Sequence, residues 1–231
     1  YHILNAGFRF PALGASDYPY CRALGDCRTY VKMPIAADER KAMPSFDAWN
    51  KAAAEGRSFF STGPLLELTV NGMSPGDSLP AAREARALPV RLSVDSPVAP
   101  VTELELIVNG RVHQRKSVPR AKGRDRIEWE TTLDLAGPGW IAARAWAPSG
   151  NGRENVEAHT NPIWVTQNGT RHVDPKSAQW LIERLDRQIA IQQARTFPRK
   201  ESVLAYYQKS RAILEERERS TRKERDGPSQ R

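Results

Sequence analysis

The chain has too few histidines and cysteines to build a metal centre by itself. Its four histidines, His2, His113, His159 and His172, stand singly. None forms an HxH, HExxH or HxxxH pair that would put two imidazoles on one cation. The two cysteines, Cys21 and Cys27, follow a Cys-x5-Cys spacing, which is neither a zinc nor a redox spacing and leaves open a short local disulfide or two free thiols. No apolar run approaches the roughly 18 residues of a membrane-spanning helix, so no membrane span is expected. No signal-peptide pattern is visible either, and exported, periplasmic and cytoplasmic locations all stay open.

Basic residues dominate: 35 Lys and Arg stand against 27 Asp and Glu, a formal charge of +8. Their distribution argues against a specific nucleic-acid site. The densest run, Arg111, Arg115, Lys116, Arg120, Lys122, Arg124 and Arg126 against Asp125 alone, reads as a solvated loop and carries no aromatic for base stacking. At 231 residues and 39% hydrophobic content, the chain has room for two or three small domains. The apolar deficit falls at the C-terminal end, which places the core in residues 1–195.

Three regions follow from periodicity. Thr29–Val31 reads as a strand, and a helix then starts with Ser45 as N-cap and Asp47 in its first turn. Phe46, Trp49 and Ala53 share one face of it, and Gly56 stops it. The next strand, Arg57–Ser61, ends at Gly63-Pro64, as expected for a helix returning the chain to a parallel sheet. From Leu65 the period becomes two. Leu66, Leu68 and Val70 lead to Asn71-Gly72, and Leu104, Leu106 and Val108 lead to Asn109-Gly110, both hairpin signals. Further strands are expected at 90–94, 127–133, 140–147 and 162–166, which together describe an immunoglobulin-like β-sandwich. Asp174-Pro175 then opens a helix bearing Leu181, Leu185 and Ile189. A second helix after Pro198 completes a hairpin, and the residues beyond Glu215 form a charged tail.

Chemistry concentrates in Gly7–Lys32. An apolar run ends on Ser16-Asp17, and a carboxylate at the end of a barrel strand is where α/β enzymes present a metal ligand. The alternative role for Asp17 is an Asx-type turn closing that strand. Arg22 and Arg28 are candidates to hold an anionic group of a small-molecule substrate by forked hydrogen bonds, or to pair with a nearby acid such as Asp26. Thr62 either points into the same site or bonds its own turn. His159 reads as a structural histidine. Trp129, Trp140, Trp146 and Trp164 either pack in the core or form a carbohydrate-stacking platform.

Three blocks, YHILNAGFRFPALGASD, GDCRTYVKM and WNKAAAEGRSFFSTGPLLELTVNGMSPGD, together resemble the CehA/McbA family of metallohydrolases, relatives of the polymerase-and-histidinol-phosphatase (PHP) domain. Gly56, Arg57, Ser58, Phe59, Thr62, Gly63 and Pro64 match the strand that closes the catalytic domain of that family. Ala158–Val165, AHTNPIWV, resembles the strand with which such sandwiches end. Ala15-Ser16-Asp17 stands where Gly-Ser/Thr-Asp is usual, and Tyr18 where a histidine often follows. The resemblance implies that Asp17 is a metal ligand and that zinc, manganese or iron is the cofactor. The family's histidine-rich motifs lie upstream of this stretch, and the chain opens on Tyr1 without an initiator Met, so the remaining ligands are expected outside it.

The expected architecture is mixed α and β. Residues 1–64 form the C-terminal part of an α/β PHP-type barrel, 65–167 an immunoglobulin-like antiparallel β-sandwich and 168–231 an α-helical hairpin. The expected activity is metal-dependent hydrolysis of a phosphoester, amide or carbamate, with the isolated chain inactive. The rival reading is a binding or assembly module whose sandwich contacts a polymer or protein, with the barrel remnant non-catalytic.

Overall fold

The computed structural model describes residues 1–20, 23–33, 45–82, 84–96, 100–118, 126–147, 156–167 and 172–226. The chain divides into two compact units, one of Tyr1–Arg9 with Arg171–Arg231 and one of Phe10–Thr170.

The larger unit is sheet-rich. It holds β1 (Arg28–Val31), α2 (Phe46–Ala54), β2 (Ser58–Ser61), β3 (Leu65–Val70), β4 (Ser78–Pro80), β5 (Arg86–Asp95), β6 (Glu103–Val108), β7 (Arg111–Ser117), β8 (Ile127–Leu135), β9 (Gly139–Ala147), β10 (Val156–Thr160) and β11 (Ile163–Thr166). These strands form one eight-stranded and one three-stranded sheet. In the larger, the order β1-β2-β10-β9-β6-β7 runs across the sheet. β10 and β11 follow each other along one edge of β9, and β4 joins β11 in parallel. The smaller sheet is β3-β5-β8. Neither sheet closes into a barrel among the described residues.

One apolar core draws on both sheets. Leu66, Leu68 and Val70 of β3, Val90, Leu92 and Val94 of β5 and Leu133 of β8 meet Leu104 and Leu106 of β6, Ile141, Ala143 and Ala145 of β9, and Ala158 and Ile163. Alternation along each strand puts every second residue there.

Several local expectations change. β1 and β2 are antiparallel, with Val31 opposite Ser58. The segment between them, α2 included, therefore brings the chain back to the end it left and makes no crossover to a parallel strand. The Ser45 hydroxyl caps α2 by accepting from Ala48 N at 3.2 Å, as expected. The helix buries Ala52 and Ala53, whereas Phe46 is 76% exposed. Asn109-Gly110 makes a hairpin between β6 and β7. Asn71-Gly72 makes only the turn that bridges Val70 to Met73, because β3 takes β5 as its ladder partner. Arg111, Arg115 and Lys116 lie on β7 and not in a loop, while Arg120, Lys122 and Arg124 lie outside the described residues.

The smaller unit combines α1 (His2–Asn5), α3 (Pro175–Gln193) and α4 (Lys200–Asp226). Asp174 caps α3, its carboxylate accepting from the backbone N–H of Lys176 and Ser177. Ala6, Ile182 and Leu214 form the core with Phe8, Leu181 and Leu185 beside them. His2 stacks on Trp180 with centroids 4.2 Å apart. Arg217 covers the Phe8 ring at 3.8 Å and donates to the Gly7 carbonyl at 2.7 Å. Beyond Glu215 the charged segment continues as helix to Asp226.

Candidate functional site

The segment leading to Asp17 forms no regular element, so Asp17 does not sit at the end of the expected strand. Side-chain hydrogen bonds from Asn161, Thr29 and its own Ser16 hold that segment. Asn161 is 1% exposed. Its carboxamide accepts from Ala12 N at 2.7 Å and donates to the Ala12 carbonyl at 3.0 Å and to Ser58 Oγ at 2.8 Å. Two residues on, the Thr29 hydroxyl accepts from Gly14 N and donates to the Gly14 carbonyl, both at 2.9 Å. Ser16 Oγ accepts from Gly25 N at 3.3 Å. Three anchors within five residues therefore fix the approach to Asp17.

Asp17 stands exposed just beyond the last anchor, with φ +52 and its carbonyl accepting from Tyr20 N at 2.9 Å. An aspartate tolerates that left-handed conformation better than most side chains. Tyr18, Tyr20, Leu13 and Leu24 are exposed around it.

The other sequence candidates divide. Arg28 is exposed on β1, and its guanidinium lies against Gly25, where an added Cβ would come within 3.1 Å of Nε. The Ser16–Gly25 bond thus ties the Asp17 turn to the turn that packs on Arg28. Asp26 accepts from Ala23 N at 3.2 Å. Thr62 is occupied elsewhere: its hydroxyl accepts from Glu157 N at 2.9 Å and donates to the Glu157 carbonyl at 3.3 Å, extending the β2–β10 pairing. Arg22 and Cys21 lie outside the described residues. Cys27 carries a free, half-buried thiol.

A row of side chains that sequence reasoning left scattered crosses the face on which this segment rests. Thr29, Phe60, His159, Arg144, Glu105 and Arg115 stand directly opposite one another across six successive strands. Phe60 stacks on His159 at 5.6 Å. His159 Nδ1 donates to the Thr160 carbonyl at 2.8 Å. Burial pushes the His159 imidazole below its usual pKa, against that hydrogen bond, and Arg144 pushes it further down. Glu105 is fully buried, yet it is held at 2.8 Å by Arg115 and at 2.6 Å by Arg144. Paired in this way, the carboxylate and its two guanidiniums form a structural ion cluster. The signal for the row was present in the sequence only as alternation, because its members are far apart along the chain.

Trp140, Trp146 and Trp164 share this same face by strand alternation. Trp140 is 1% exposed and Trp129 packs against the core, so the four tryptophans do not make an open platform. Among the described residues no three His, Cys, Asp or Glu side chains come together as a metal-holding group. No helix there is long and apolar enough to cross a membrane.

No family model matches the sequence, and no curated protein matches it. Among solved structures, a Jonesia denitrificans lytic polysaccharide monooxygenase aligns over 60% of this chain and 77% of its own, at 14% identity and a TM-score of 0.26. A likeness at that score carries no argument about this protein.

Proposed function

We propose that this chain is the C-terminal portion of a metal-dependent hydrolase of the CehA/McbA type, in which Asp17 is one ligand of a divalent zinc, manganese or iron centre. The observation that supports this reading is the presentation of Asp17: an exposed carboxylate just beyond three successive anchors, to Asn161, to Thr29 of β1 and to the Gly25 turn. A ligand held on a braced segment loses little freedom when it binds. The two sheets around one core are read here as an immunoglobulin-like sandwich following the catalytic part. Arg28, tied to the same turn through Gly25, is the candidate to hold an anionic group of the substrate.

The described residues do not complete a centre, since Asp17 has no two further donors beside it among them. The remaining ligands are assigned to residues outside this chain, and no hydrolytic step follows from the residues present. A divalent ion there would supply an activated water for a phosphoester, amide or carbamate.

The test is metal analysis of the full-length protein with Asp17→Asn. Asparagine is at home in the left-handed backbone, so urea stability is expected to stay within about 0.5 kcal/mol while bound metal and esterase or phosphodiesterase activity fall together. Unchanged metal content would reject the role given to Asp17.

A further inference from the structure

The two sheets differ in width, and the difference leaves a slot. β3, the edge strand of the three-stranded sheet, packs across β10 and β9. β2 and β1 continue the larger sheet beyond β10, alongside that edge. A cavity of about 350 Å³ fills that position, lined by Tyr30, Lys32, Phe59, Leu66, Leu68 and Ser74 among others. Four consecutive residues of β3, 66 to 69, border it. Successive side chains of a strand point to opposite faces, so a cavity touching four in a row borders the strand's edge.

The hydrogen bonds at the end of β3 show which groups face the slot. Asn71 N bonds the Pro89 carbonyl on the β5 side, whereas Val70 N bonds the Met73 carbonyl on the other side. Antiparallel pairing alternates, so the amides and carbonyls of Leu66 and Leu68 point away from β5 and into the cavity. No strand pairs with them there among the described residues. The floor is apolar: Tyr30 and Phe59 stack with centroids 4.8 Å apart. At one end stands the Lys32 ammonium, which donates to Ser74 Oγ at 3.0 Å and has no carboxylate partner among the described residues. Arg57 nearby is already neutralised by Glu55 and Asp77.

We infer that an extended peptide segment adds to the open edge of β3, lays apolar side chains over Tyr30 and Phe59, and sets its C-terminal carboxylate at the Lys32 ammonium. Main-chain bonds to Leu66 and Leu68 supply the pairing, the stacked rings receive the side chains, and the lysine fixes the end. The inference is independent of the hydrolase reading, since none of these residues belongs to the Asp17 segment.

The experiment is fluorescence anisotropy on the 231-residue chain with an N-terminally fluorescein-labelled pentapeptide of alternating valine and threonine. Three forms are compared: free acid, C-terminal amide, and a form with proline at the centre. The free acid is expected to bind, and the proline form about tenfold more weakly, because it loses a ladder donor. Amidation is expected to cost about threefold, and Lys32→Met to bring the free acid to the level of the amide without changing the amide. Lys32 is exposed, so the variant leaves the fold intact. Equal binding of the proline form would overturn strand addition. Indifference to both amidation and Lys32→Met would overturn the carboxylate assignment, and absence of binding by the free acid at millimolar concentration would overturn the whole inference.

Discussion

At Gly14 there is no room for a side chain. A Cβ there would stand 2.6 Å from Cys27 Sγ and 2.7 Å from Phe60 Cβ, so the segment bearing Asp17 lies against the sheet only because that position is glycine. Gly14→Ala is expected to cost about 1 to 3 kcal/mol in urea unfolding, since Phe60 is held by its stack on His159 and cannot step aside cheaply. A change below 0.5 kcal/mol would show that the segment lifts off easily and that Asp17 is not firmly presented. The carboxylate itself could be picked out from the sequence because it ends an apolar run. Its anchors could not: Asn161 reaches Ala12 across 149 positions and is 1% exposed, and nothing local marks that asparagine as a clamp.

Among elements, β1, β2, β3, β6, β8 and β9 were readable from short apolar or alternating runs bounded by turn residues, and β7 was not. β7, RVHQRKS, offers Val112 as its only apolar residue, so its composition reads as a solvated loop. Its strand character comes from β6, which supplies Glu103 and Glu105 opposite Ser117 and Arg115. The Asn109-Gly110 turn was the usable clue, because Asn-Gly favours a hairpin, although Asn71-Gly72 makes a turn without one. The row of side chains over β10 and β9 has a consequence for pH. Burial, assisted by Arg144, holds the His159 imidazole neutral in the folded protein below the pH at which the unfolded chain takes up its proton. The unfolded state then binds more protons, so stability falls as pH drops below about 6.5 and recovers above it. His159→Gln is expected to flatten that slope between pH 7 and pH 5 in chemical unfolding. An unchanged slope would mean that other groups carry it.

On the scale of the whole molecule, the helical hairpin at the C-terminal end announced itself through Asp174-Pro175 and the four-residue spacing of its leucines. That Tyr1–Arg9 belongs with it did not, since α1 has four residues and its attachment is long-range: Asp174 N to the Asn5 carbonyl at 2.7 Å, and Arg217 against Gly7 and Phe8. The fragment of residues 10–170 contains the entire two-sheet core and is expected to unfold in one cooperative transition by circular dichroism. A peptide of residues 171–231 lacks Ala6 and Phe8 and is expected to melt lower than the same peptide mixed with residues 1–9. Equal melting would show that the hairpin needs no N-terminal support. The two-sheet unit is thus inserted into the helical one, leaving after Arg9 and returning before the α3 cap. Tension applied to the ends of this chain would load the helices first, and the sheets would bear none of it until the helices had given way.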